Sequence, residues 1–308
     1  MTTQDEDASD DDYDVSRAAY QALQLYAQTV QAELVGPVLE FVEQNLRSED
    51  WHHRDAAVSA FGAIMDGPEH ETLVPLVRQA LPVMITMMED KVVHVRDSTA
   101  YALGRICDYC SGAIEVNVHL HPLISCLFNG LASSPKIAGS CCWALMNLAD
   151  RFAGDAGAQT NPLSKHFQDS VTSLLSVTER YFQNPLQSKH IIISRANNVC
   201  RTDADNQLRT AAYEVLNSFV TNAANDSLPI IANLSDVILQ RLEQTVPMQQ
   251  QVVSVEDRIT LEELQTSLTS VLLVRTYPVL IVILLTNRYD RLLSSDWRLK
   301  SSPKPTAS

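Results

Sequence analysis

The stretch Val95-Arg96-Asp97-Ser98-Thr99-Ala100-Tyr101-Ala102-Leu103-Gly104-Arg105-Ile106 recurs along this chain at a fixed interval. Moved back by 42 residues it falls on His53 to Ile64, where Arg54-Asp55, Gly62 and Ile64 coincide with Arg96-Asp97, Gly104 and Ile106. Moved forward by 42 it falls on Ile137 to Leu148, with Trp143 over Tyr101, Leu145 over Leu103 and Leu148 over Ile106. Further copies, at other offsets, lie at Val15 to Tyr26 and Leu208 to Phe219. Apolar residues in each copy recur at three- and four-residue steps, the pattern of an amphipathic helix. A second amphipathic helix accompanies the copies: Pro37 to Leu46, Thr72 to Glu89, Leu120 to Ala132, Phe167 to Glu179 and Leu228 to Val246. The repeating unit is therefore an antiparallel helix pair.

A helix pair of about 40 residues is the length of a HEAT or armadillo repeat. One such pair cannot bury its apolar face alone, so successive pairs must stack. The expected fold is all-α, a HEAT-repeat superhelical solenoid in which Ala57, Thr99 and Cys141 hold equivalent places. Composition agrees: of 308 residues 45% are hydrophobic, which supports a packed interior, and only 9 are glycine, few for a turn-rich fold. The formal charge of −14 disfavours non-specific nucleic-acid binding and suits basic partners.

The organisation expected is in three parts. Residues 1–14 hold seven acidic side chains and read as a flexible acidic segment. Residues 15–274 carry the repeats, interrupted by 181–201, which has no helical period and reads as an extruded loop. Residues 275–308 abandon the pattern and read as a disordered tail outside the solenoid. The last helix, Leu261 to Val274, would then present Leu264, Leu268, Val271 and Leu272 to no partner.

No secretory signal is legible at the start, and the apolar run Val279 to Leu285 is far short of the ~20 residues of a membrane span. Six cysteines (Cys107, Cys110, Cys126, Cys141, Cys142 and Cys200) lie mostly in apolar runs, as buried thiols would. Cys107 and Cys110 have the spacing of a zinc half-site, but no second pair completes a tetrahedral set. His52, His53, His119 and His121 read as surface residues beside turns. Asp66-Gly67-Pro68 reads as a helix-ending turn. No phosphate loop, HExxH or nucleophile arrangement is legible, so no catalytic residue, metal or cofactor is expected.

Three stretches together, GPVLEFVEQNLRSEDWHHRDAAVSAFGAIMDGP, VRDSTAYALGRICDYC and CCWALMNLAD, resemble the middle of the importin-beta (karyopherin-beta) family of nuclear import receptors. The resemblance runs from Asp10 to about Val274 apart from 181–201. It implies a right-handed superhelix that shuttles between cytoplasm and nucleus through the nuclear pore. It also implies four kinds of partner: the basic importin-beta-binding segment of importin-alpha, Ran-GTP, FG nucleoporins and cargo proteins. The family's acidic loop corresponds to Asp10, Asp11, Asp12, Tyr13 and Asp14, with Tyr13 where the family usually has tryptophan. Trp143 matches the inner-helix tryptophans that stack on Arg and Lys of the adaptor, and Tyr101 holds the equivalent place one repeat earlier. A generic HEAT scaffold or regulatory subunit is the alternative, and it would carry neutral or basic inter-helix turns.

Overall fold

The computed structural model describes residues 10–154, 157–182, 199–252, 255 and 257–273; the side chains of 10–14, 180–182, 199–206 and 251 lie outside that description. Every regular element among the described residues is helical. They are α1 (Asp10–Val30), α2 (Ala32–Asn45), α3 (Trp51–Ala63), α4 (His70–Met87), α5 (Val93–Tyr109), α6 (His121–Gly130), α7 (Pro135–Arg151), α8 (Phe167–Phe182), α9 (Val199–Thr221) and α10 (Leu228–Thr245). A last helix, α11, covers 257–273.

Local chemistry sets the breaks. Asp50 caps α3, its carboxylate accepting the His52 backbone N–H at 3.0 Å. Proline occupies the first turn of α6, α7 and α10, where a missing N–H costs nothing. Gly67 in the Asp66-Gly67-Pro68 turn has φ 133°, and a side chain there would overlap the Ala27 carbonyl of α1. Helix α1 begins at Asp10, five residues before the apolar pattern starts. Carboxylates favour a helix N-terminus, because they face its unpaired N–H groups, and this supports the added turn.

The helices form two layers. Contacts run from α1 to α3, α3 to α5, α5 to α7 and α7 to α9, so these five make one continuous layer. α2 packs on α3, α4 on α5, α6 on α7 and α8 on α9, giving the second layer. Ala57, Thr99 and Cys141 are each 0% exposed on α3, α5 and α7, which are adjacent helices as the repeat demands. Small residues there let backbones approach: a side chain at Gly62 would stand 3.0 Å from the Ala102 Cβ.

The repeated arginines make repeated bonds. Arg54 Nη1 donates to the carbonyls of Ser48 and Glu49 at 2.9 and 3.0 Å. Arg96 Nη1, 42 residues on, donates to those of Asp90 and Lys91 at 2.6 and 3.3 Å. Each arginine thus ties its helix to the turn that precedes it. Arg54 adds a forked pair to Asp90 in the next repeat, through Nε at 2.8 Å and Nη2 at 2.9 Å.

Two expectations need correction. Leu264, Leu268, Val271 and Leu272 are buried and belong to the common core, because a solenoid helix covers its inward face with the repeat before it. His119 is not a surface residue but 5% exposed, in the short π-helix Val116–Leu120, where its Nδ1 accepts the Glu115 N–H at 3.2 Å.

The long interval after Trp143 is spanned without breaking the stack. α8 and α9 contact directly, although α8 runs to Phe182 and α9 starts at Val199. Residues 183–198, most of the stretch read as an extruded loop, lie outside the described residues, as does 274–308. The connection before α8 is sewn to the α9–α10 turn: Ala158 and Gln159 carbonyls accept from Asn225 and Asp226 N–H at 2.9 and 3.0 Å.

Candidate functional site

Tyr101 on α5 and Trp143 on α7 are offset by one repeat, so stacking brings them side by side. Their rings lie 5.5 Å apart at 25°, a stacked pair. Tyr20 of α1 meets Tyr101 edge-on at 5.8 Å and 71°. Tyr101 remains 41% exposed and Trp143 is half-buried, so the row keeps an open edge toward solvent. On α3, the place equivalent to Tyr101 is Ser59, whose short side chain leaves Tyr20 room to reach across.

Gly104 seats the tryptophan. A Cβ at this position would overlap the Cε3–Cζ3 edge of the six-membered ring of Trp143, which therefore packs directly against the α5 backbone. One turn beyond Tyr101, Arg105 is 5% exposed, with its guanidinium 4.2 Å from the centre of the Tyr109 ring. Arg105 pairs with Asp66 at 3.6 Å, and the Gln24 amide oxygen accepts from its terminal nitrogens at 3.0 and 3.3 Å. Gln28 Nε2 donates to the same Asp66 at 2.8 Å. Burial, with Tyr101 beside it, drives the Tyr20 phenol well above the usual tyrosine range.

The acidic candidates Asp10, Asp11, Asp12, Tyr13 and Asp14 start α1, and their side chains are outside the described residues. At 1.5 Å per residue, that first turn is about 10–15 Å along α1 from Tyr20. Tyr101 and Trp143 are thus in contact, and the acidic turn lies further along the helix that caps their row. Tyr20, Gly104 and Arg105 were not among the sequence candidates. Tyr20 sits one residue off the repeat register, where Gln21 is the equivalent, so matching by repeat passes over it.

Burial disfavours the thiolate form of the cysteines among the described residues. Burial pushes Cys110 up to about 11, Cys126 and Cys142 to about 12, and raises Cys107 and Cys141 as well. Cys110 lies just past the end of α5, so it does not share a helical face with Cys107. Among the described residues no group of three His, Cys, Asp or Glu could hold a metal ion, and no helix is long and apolar enough to cross a membrane.

Helix pairs stacked one on the next in two layers, with an aromatic row along one of them, define a HEAT-type solenoid. Residues 51–106 match the HEAT-like repeat family, and residues 122–191 and 188–279 match the family described as importin subunit beta-1-like, TPR repeats. The chain belongs to the importin subunit beta-1 family. Importin subunit beta-1 of Schizosaccharomyces pombe is 43% identical over 272 residues, 88% of this chain and 29% of the relative. A crystal structure of importin beta grown in ammonium sulfate is 55% identical, with TM-score 0.79, covering 99% of this chain and 33% of that one. Yeast importin-beta, Kap95p, is similar at 30% identity and TM-score 0.75 in a structure with RanGDP, covering 97% of this chain and 32% of that chain. In a complex with Nup1 it is similar at 31% and 0.72, covering 95% and 32%. The chain spans less than a third of the length of the relative from Schizosaccharomyces pombe.

Proposed function

We propose that this chain forms a basic-peptide-binding stretch of an importin-beta-type nuclear transport receptor. Its ligand is the importin-beta-binding segment of importin-alpha, or a nuclear-localisation signal presented directly by cargo. The observation that carries this reading is the stacked, open-edged Tyr101–Trp143 pair in a chain of net charge −14. A guanidinium or ammonium laid on such a ring gains about 0.5–2 kcal/mol, more as water leaves. Arg105 over Tyr109 is an internal instance of the same contact, with Asp66 supplying the counter-charge. The acidic turn at Asp10, Asp11, Asp12 and Asp14, with Tyr13 among them, would gather a cationic peptide before it docks.

Ran-GTP and FG nucleoporins are proposed as further partners, since Kap95p has been solved with RanGDP and with Nup1. Shuttling between cytoplasm and nucleus follows from the same reading.

The test is calorimetry with the basic importin-alpha peptide. Trp143→Ala should weaken binding by about 1–2 kcal/mol, since truncation removes the larger stacking face while leaving Tyr101. Unchanged affinity with an intact helical fold would assign Trp143 to packing alone. A second expected outcome concerns rates. Changing Asp10, Asp11, Asp12 and Asp14 together to Asn should slow association about tenfold at low salt and flatten its salt dependence in stopped-flow traces. An unaltered salt slope would leave these residues only a helix-starting role.

A further inference from the structure

Two contacts join α1 to α5 across α3, the helix that lies between them. The first is the edge-on meeting of Tyr20 and Tyr101 at 5.8 Å. The second is made by Arg105 of α5, whose terminal nitrogens reach the Gln24 amide oxygen of α1 at 3.0 and 3.3 Å. Arg105 also pairs with Asp66, just past the end of α3, at 3.6 Å. Gln28 of α1 donates to that same carboxylate at 2.8 Å. The guanidinium lies 4.2 Å from the centre of the Tyr109 ring on its own helix. One side chain thus ties three successive helices of the first layer. The Tyr20 phenol registers the same closeness: burial and Tyr101 raise its pKa, and the Arg105 charge acts against them.

The repeat does not ask for an arginine at this place. The equivalent residues, 42 positions before and after, are Ala63 of α3 and Asn147 of α7, and both helices stack on their neighbours with these shorter side chains. Gln28 departs from the register in the same way, since its equivalents are Asp66 and Asp108. An aspartate in its place would face Asp66 with like charge, whereas the amide donates to it. A guanidinium suits the crossing because its planar fork can lie on a ring while its N–H groups bond in the plane.

Resting on the basic-peptide reading above, we propose that Arg105 is a positioning residue. By holding α1 to α5 it fixes the distance from the acidic first turn of α1 to the Tyr101–Trp143 row, so that one basic peptide engages both. Residues 10–14 are 10–14 positions from Gln24, a lever of about 15–20 Å along α1. A tilt of roughly 10° about the clasp would move that turn about 3 Å. Two contacts on one ligand reinforce each other only while their spacing matches the ligand.

The probes are two arginine peptides, one of about four residues and one about five longer, which adds about 15 Å of extended chain. Affinities are measured on the full chain at about 0.15 M salt, where attraction between exposed charges is largely screened beyond about 8 Å. Wild type should bind the longer peptide about tenfold more tightly. In Arg105→Met that gain should fall below about threefold, while the short peptide binds within about twofold of wild type. An undiminished gain overturns the positioning role. So does equal weakening of both peptides, which would make Arg105 a support of the aromatic row itself. Wild type that binds both peptides equally overturns this proposal and leaves the aromatic row as a binding surface. Wild type that binds neither overturns the basic-peptide reading and this proposal with it. If Arg105→Met does not fold, Gln24→Ala with Gln28→Ala cuts the α1 end of the clasp and leaves Arg105 on Asp66 and Tyr109. The same loss of gain there supports the role, and a retained gain overturns it.

Discussion

Asp90→Ala should lower the unfolding free energy by about 2–4 kcal/mol in urea titration, somewhat less than a fully sealed ion pair would lose. Asp90 takes a forked pair from Arg54 of the preceding repeat and, in the turn before α5, accepts the Val92 N–H at 2.9 Å. The two side chains keep 16% and 11% of their surface, so a rim of solvent softens the loss. Truncation leaves Arg54 bound to the Ser48 and Glu49 carbonyls but without the carboxylate it grips. Asp90→Asn keeps an acceptor for the Val92 N–H and one bond to Arg54, and should lose about half as much.

The same contact sets a pH dependence. Burial opposes ionisation of Asp90, but Arg54, the Val92 N–H and the charge of Arg96 outweigh it and hold the carboxyl below its usual range. A carboxyl depressed in the folded state contributes stability that is present above its unfolded pKa, near 3.9. That contribution is lost as pH falls through the folded value. Thermal melts from pH 6 down to pH 2.5 should therefore show an acid slope that is shallower in Asp90→Asn. An identical slope in both proteins would mean that the pair is not formed in solution.

The repeat, the helix pairs and the place of the aromatics were legible because a solenoid writes one geometry many times. The Arg54 and Arg96 copies show why: each makes the same two carbonyl bonds at the same offsets, so the residue recurs with the bond. What was not legible lies off the register. Tyr20 reaches past Ser59 to Tyr101 from a position one residue out of phase. His119 sits in a π-helical turn that no 3.6-residue period describes. The cover over Leu264, Leu268, Val271 and Leu272 depends on which way a helix faces, and an apolar stripe alone does not give that direction.

Gly104→Val should destabilise the chain by about 1–3 kcal/mol, and the sign is the informative part. On helix propensity alone, replacing an interior glycine is favourable by about 0.5–1 kcal/mol. Gly139 on α7 provides that baseline, since a Cβ there meets nothing within 4 Å, and Gly139→Ala should stabilise. At Gly104 the added atoms would occupy the space of the Trp143 ring, which must lift from α5 and open the 5.5 Å stack on Tyr101. The near-ultraviolet circular dichroism of the pair should fall, and the basic peptide should bind no better than it does to Trp143→Ala. A Gly104→Val protein that is as stable as wild type, with unchanged near-ultraviolet signal, would mean that the tryptophan does not rest on this glycine. The two glycines share a residue type and a helical setting. The opposite signs therefore isolate the ring contact from backbone propensity, and they link the close approach of α5 and α7 to the surface on which a cationic side chain would lie.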